Sequence, residues 1–207
     1  ERTGYGFRYA AIRKPIKNAD SHDYIRTTVY IAPYTALIPP NNVHNVATLL
    51  TPEDDTSTIF YFIAWNGTDK PGIGADAWRK FNVLQWGTDV DGNFDGVRTY
   101  DNNYGQDRDA MKAGNFTGIK GIPTQDIAMW ESMGPIADRS KERLGTSDVA
   151  VAAFRRLMVQ AARTMQDEGK AIGADGAQIP HAKISSYEGV MPKTTNWREL
   201  GGGSEAP

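Results

Sequence analysis

A chain of 207 residues with 40% hydrophobic and 23% charged residues is long enough for one domain with a substantial core. Its 23 Lys plus Arg against 25 Asp plus Glu, with no basic cluster that also carries aromatics, leave no electrostatic footprint for nucleic acid or an anionic membrane. Cysteine is absent, no run of about 18 apolar residues occurs, and no leader pattern opens the chain, so disulfides and thiolate metal sites are excluded and a soluble, cytoplasmic protein is expected.

Strand signals fill the first third. "GYGFRYAAI" is aromatic and β-branched, and "YIRTTVYIA" alternates Tyr24, Arg26, Thr28 and Tyr30 with Ile25, Thr27, Val29 and Ile31. "VHNVATLL" and "TIFYFIAW" follow, separated by the turn compositions "IPPNN" and "TPEDDTS". Four short strands joined in this way imply an antiparallel sheet curling over a core or pocket. Residues 66–122 change character: "NGTDKPGIG" and "GTDVDGNFDG" are loop compositions, "AWRKFNVLQW" suits a short helix or a strand, and "QDRDAMKAG" suits a short helix closed by Gly114. So long an irregular stretch in a compact chain suits a lid, a binding loop or a subunit contact.

The last third is helical. Pro123 and Thr124 mark one helix start; Thr146 or Ser147 caps a second, longer helix over 148–168, with Ala150, Phe154, Leu157, Met158, Ala161 and Met165 as its inner stripe. Beyond Gly173 the composition is rich in Gly, Ser and Pro and ends "GGGSEAP", which predicts an extended tail over 171–207.

Few residues carry chemistry by spacing. "DVDGNFDG" puts Asp89, Asp91 and Asn93 at calcium-loop positions, but Phe94 stands where the turn needs Gly and Tyr100 where a bidentate Glu belongs, so a plain Asp/Gly turn is expected. His22, His44 and His181 share no metal-ligand spacing. The triplets Asn66-Gly67-Thr68 and Asn115-Phe116-Thr117 match glycosylation acceptors with nothing else to support secretion. Asp126 stands out, because Ile122, Met129, Trp130 and Met133 lie at helical spacing around it and give its helix face an apolar character. Two readings stay open on this evidence. As a first-turn acid it is stabilised by the helix dipole; as a carboxylate facing an apolar region it must be paired, protonated or bound to a metal.

The residues around Asp126 add a resemblance. Phe116 to Ile119, Gln125-Asp126, Glu131-Ser132, Gly134-Pro135-Ile136, Asp138-Arg139, Leu144-Gly145, Ser147-Asp148 and Arg155-Arg156 follow a pattern that strongly resembles the C-terminal catalytic region of Rieske-type non-haem iron oxygenases. The branch is the one of phthalate 4,5-dioxygenases and aromatic O-demethylases. "GFRYAAIRKP", "YIRTTVYIAPYTALIPP" and "NWREL" extend the likeness over most of the chain, while Arg143 departs from the His common before Leu-Gly.

That resemblance implies an α+β helix-grip fold (START/Bet v 1-like), incomplete at its N-terminus, in which a curved antiparallel sheet and the 148–168 helix enclose a pocket. It assigns residues 1–170 to the catalytic domain. It also implies Asp126 as the carboxylate of a two-His-one-carboxylate Fe(II) site, with Met129, Trp130 and Met133 as candidate substrate-pocket residues. The family's two His ligands and its [2Fe–2S] Rieske cluster have no counterparts here, so the chain alone is expected to be inactive. The intact protein would hydroxylate or O-demethylate an aromatic, phthalate-like substrate with O₂ and electrons from a reductase, as a homo-oligomer (trimer or hexamer). Two rivals remain: a non-enzymatic helix-grip module binding an apolar ligand or a protein, and an enzyme completed by a separate chain.

Overall fold

A computed structural model describes residues 1–39, 44–67, 71–174 and 179–202. The Pro-Pro-Asn-Asn turn, Thr68 of the first glycosylation triplet and the closing residues 203–207 fall partly or wholly outside them. The chain forms two compact units. One comprises 1–53, 58–71 and 143–207; the other comprises 54–57 and 72–142.

The first unit is built on an antiparallel sheet of seven strands: β1 (Arg2–Thr3), β2 (Gly6–Arg13), β3 (His22–Ile31), β4 (Thr35–Ile38), β5 (Asn45–Pro52), β6 (Thr58–Trp65) and β7 (Tyr187–Pro192). Strands β1 to β6 lie side by side in chain order, and β7 pairs with β3 beyond the end of β4. Four strands were legible as β-branched and aromatic runs bounded by turn compositions. β1 and β4 are short, and β7 sits in a Gly-containing stretch, "YEGVMP", with no run of alternation, so pairing with β3 rather than local propensity makes it a strand.

Period-two alternation sends the sheet's residues to two faces. On one face Val29, Leu37 and Ala47 stand in register across β3, β4 and β5 and form a buried cluster with Tyr5 and Ile184. On the other, Phe7, Tyr30 and Ala32 pack against Ala150, Leu157 and Met158 of the long helix, and Phe154 meets the Tyr30 ring edge-on at 5.2 Å. That helix, α4, runs Val149–Glu168 and ends where Gly169 adopts φ +68° and returns its N–H to the Met165 carbonyl at 3.0 Å. The predicted stripe packs through its first three turns. Met165, at the far end, is exposed.

Arg8, on the same face as Val29, is fully buried. Its guanidinium donates to the Glu1 carboxylate and to the main-chain carbonyls of Arg198 and Leu200, and lies 5.8 Å from the Trp197 ring centroid. A buried cation is tolerable only with such partners. The same contacts fasten the C-terminal segment to that face.

The second unit carries α1 (Ala75–Asn82), α2 (Arg108–Lys112) and α3 (Ile122–Glu131). "AWRKFNVLQW" therefore resolves as a helix over its first part. Among the described residues no helix is long and apolar enough to cross a membrane.

Candidate functional site

α3 starts where the sequence pattern placed it. Gly121 precedes it at φ +82°, and a Cβ there would sit 2.5 Å from the Asn82 carbonyl oxygen, so the close approach of α3 to the end of α1 requires glycine. Asn82 is buried and donates its side-chain amide to the Trp78 carbonyl at 2.9 Å. Pro123 falls in the first turn, and Gln125 reaches back to the Ile119 carbonyl at 2.9 Å.

The far end of α3 is held by a different device. Asn103, Tyr104 and Gly105 are three consecutive residues in the left-handed region, at φ +51°, +56° and +62°. Two of them are not glycine, and such runs are costly for L-residues. The turn drives Tyr104 inside, where its hydroxyl donates to Glu131 Oε2 at 2.7 Å; burial, then this hydrogen bond, pushes the phenol up to about 12. Sequence reasoning missed this pair. The only local cue was "NNYG", whose Asn and Gly tolerate positive φ.

Between these anchors α3 buries Pro123, Thr124 and Ala128. Its other face holds Ile122, Asp126 and Met129, with Trp130 alongside and Met133 just beyond the helix, and all five are exposed. The structure thus places Asp126, Met129 and Trp130 on the accessible side of α3, with Met133 exposed in the turn that follows it. Asp126 makes no hydrogen bond or ion pair among the described residues, and desolvation pushes its carboxyl above the usual carboxylate range. Its exposed neighbours at −4, +3, +4 and +7 are all apolar, so the charge meets little that would stabilise it.

Several other acids of this unit have partners. Asp89, nearly buried, pairs with Arg98 at 2.8 Å and accepts from the Gln85 N–H at 2.9 Å. Asp91 accepts from the N–H groups of Asn93 and Asp95 at 2.8 and 3.0 Å, the plain Asp/Gly turn that was expected. Asp138 takes Lys141 at 3.1 Å, and Asn115 of the second glycosylation triplet folds back to accept from Thr117 and Gly118.

The fit to an iron site can be tested on the donor set. His22 opens β3, His44 precedes β5 and His181 begins a 3-10 turn, all three in the sheet-containing unit. Among the described residues no group of three His, Cys, Asp or Glu side chains is disposed to hold a metal. These residues do not fit a complete iron centre. What they offer is the Asp126 carboxylate, which has no partner among the described residues.

A family model described as "LigXa C-terminal domain like" matches residues 1–206. The oxygenase subunit of phthalate 4,5-dioxygenase from Pseudomonas putida is 53% identical over 199 residues, covering 96% of this chain and 45% of that protein. The oxygenase subunit of 3-chlorobenzoate-3,4-dioxygenase from Comamonas testosteroni is 30% identical over 213 residues, covering 94% of this chain and 48% of its own. Sheet, grip helix and relatives define the class as the catalytic-domain portion of a Rieske-type oxygenase large subunit. More particularly, the chain belongs to the LigXa C-terminal-domain-like family. It spans about half the length of the curated relatives it matches.

Proposed function

We propose that this chain is the part of a Rieske-type oxygenase catalytic domain that contributes the carboxylate ligand of a mononuclear Fe(II) site, through Asp126. The observation that carries this reading is the electrostatics of α3: a partnerless carboxylate, desolvated enough to raise its pKa, on an accessible apolar face. Such a group costs stability and gives nothing back within the chain, which is the signature of a functional position. The two imidazole ligands and the [2Fe–2S] cluster come from polypeptide outside these 207 residues. Iron, when bound, supplies the O₂ chemistry. This chain's own part is to fix one ligand and to present Met129, Trp130 and Met133 to an aromatic ring, for which thioether and indole surfaces are suited.

The substrate is an aromatic acid of the phthalate type, hydroxylated or O-demethylated at the expense of O₂ and reductase electrons. The enzyme is cytoplasmic and works as a homo-oligomer, a trimer or a hexamer. Residues 1–170 belong to the catalytic domain and 171–207 form its tail. The test uses a full-length polypeptide containing this chain, reconstituted with Fe(II) and a reductase. Phthalate-dependent O₂ uptake with an oxidised aromatic product is expected. Tight binding of apolar ligands with no O₂ uptake by the iron-loaded protein would overturn the reading in favour of a non-enzymatic helix-grip module.

A further inference from the structure

α3 presents Asp126 from a smooth seat. Thr124, Ala128 and Glu131 follow one another at i, i+4 and i+7, a single stripe that lies roughly 140–200° around the helix axis from Asp126 at about 100° per residue. Thr124 and Ala128 are buried, and both are small. Side chains of that size make shallow ridges and give a helix little resistance to turning about its own axis. Turning matters here, because at a side-chain radius of about 5–6 Å a rotation of about 20° moves a carboxylate by roughly 2 Å. Ligand distances in a metal site hold within about 0.2 Å.

The third member of the stripe supplies what the first two lack. Glu131 Oε2 accepts the Tyr104 hydroxyl at 2.7 Å, from a buried phenol in the middle of the left-handed run 103–105. Backbone of that kind persists only where surrounding contacts over-determine it, and a glycine at 104 would relieve it but carry no hydroxyl. The strain is therefore kept for one directional bond to the end of α3. With its pKa pushed up to about 12, the phenol stays a donor at every physiological pH. We propose that Tyr104 is a positioning residue for the iron site: through Glu131 it fixes the rotation of α3, and so the direction in which Asp126 offers its carboxylate. The inference rests on Asp126 being the ligand and adds which residue aims it.

The test uses a full-length polypeptide containing this chain, stripped of mononuclear iron and titrated with Fe(II), with nitric oxide as the EPR probe of that site and the melting temperature recorded beside it. Tyr104→Phe should weaken Fe(II) binding about tenfold, the lower end of what residues supporting a ligand contribute, and broaden the nitrosyl signal. Glu131→Ala, on an exposed side chain, should do the same without touching the left-handed turn, and it decides the matter if Tyr104→Phe does not fold. The double variant should bind no more weakly than either single one, since all three lack the same bond. Glu131→Gln, which still accepts from the phenol, should stay within about twofold of the parent. Asp126→Ala is the control. If it loses mononuclear iron while Tyr104→Phe and Glu131→Ala bind with the parent's affinity, whatever their melting temperatures, the proposal is overturned and the reading of Asp126 stands. Additive losses in the double variant overturn the proposal too. Iron retained in Asp126→Ala overturns both.

Discussion

Arg8 and Asp126 are both charged side chains set among apolar neighbours, and the two units that hold them treat the charge differently. Arg8 is sealed beneath the C-terminal segment with a carboxylate and two carbonyls around its guanidinium. Asp126 has no partner among the described residues, and desolvation raises the pKa of its carboxyl. The first arrangement fastens a sheet to its tail. The second leaves an accessible carboxylate, the ligand of the proposed reading, on a helix whose two ends are fixed by Gly121 and by the Tyr104–Glu131 hydrogen bond. The contrast separates a buried charge whose partners make it structural from an accessible one that the proposed function gives a role.

The comparison can be broken most forcefully at Arg8. Arg8→Ala strands the Glu1 carboxylate and two carbonyls, and should cost about 3 kcal/mol in a denaturant titration; a loss below about 1 kcal/mol would show that the clasp is not structural. Tyr30 is next. Its phenol is pushed to about 12 by burial against the helix, above the ordinary 10, so the stabilisation is fully present below pH 10 and is lost as pH rises toward 12. Melting curves across that window should show up to about 2 kcal/mol of alkaline destabilisation that Tyr30→Phe removes. Gly121→Ala forces a Cβ onto the Asn82 carbonyl at positive φ and should cost about 1 to 3 kcal/mol, read as lost amide protection in α3. Asn103→Gly should act the other way, relieving left-handed strain by about 0.5 to 1 kcal/mol. The smallest effect belongs to Asp126→Asn, which removes a desolvated charge and should raise the melting temperature slightly at neutral pH; a lowered one would mean the acid is a stabilising cap.

Much of the sheet-and-helix unit was legible because its signals are periodic. The β-branched and aromatic runs of β3 and β6 mark strands, and the Ala150–Phe154–Leu157–Met158 stripe of α4 specifies which of its faces is inward, before any partner is known. β7 was not legible, since its strand state depends on the free stretch of β3 more than 150 residues earlier in the chain. Arg8 was visible as a polar residue in a strand, but not as a clasp, because nothing local announces that Arg198 and Leu200 return to it. At the site, helical spacing was enough to put Asp126, Met129 and Trp130 on one side of α3, while Met133 fell in the turn after the helix. The left-handed turn at 103–105 was hidden, because tertiary demand on Tyr104 rather than propensity sustains it.

The central claim is that Asp126 is a metal ligand, and metal content tests it most directly. In a full-length polypeptide containing this chain, Asp126→Ala should lose mononuclear iron by elemental analysis while the visible absorbance of the [2Fe–2S] cluster is retained. Unchanged mononuclear iron in that variant would contradict the account.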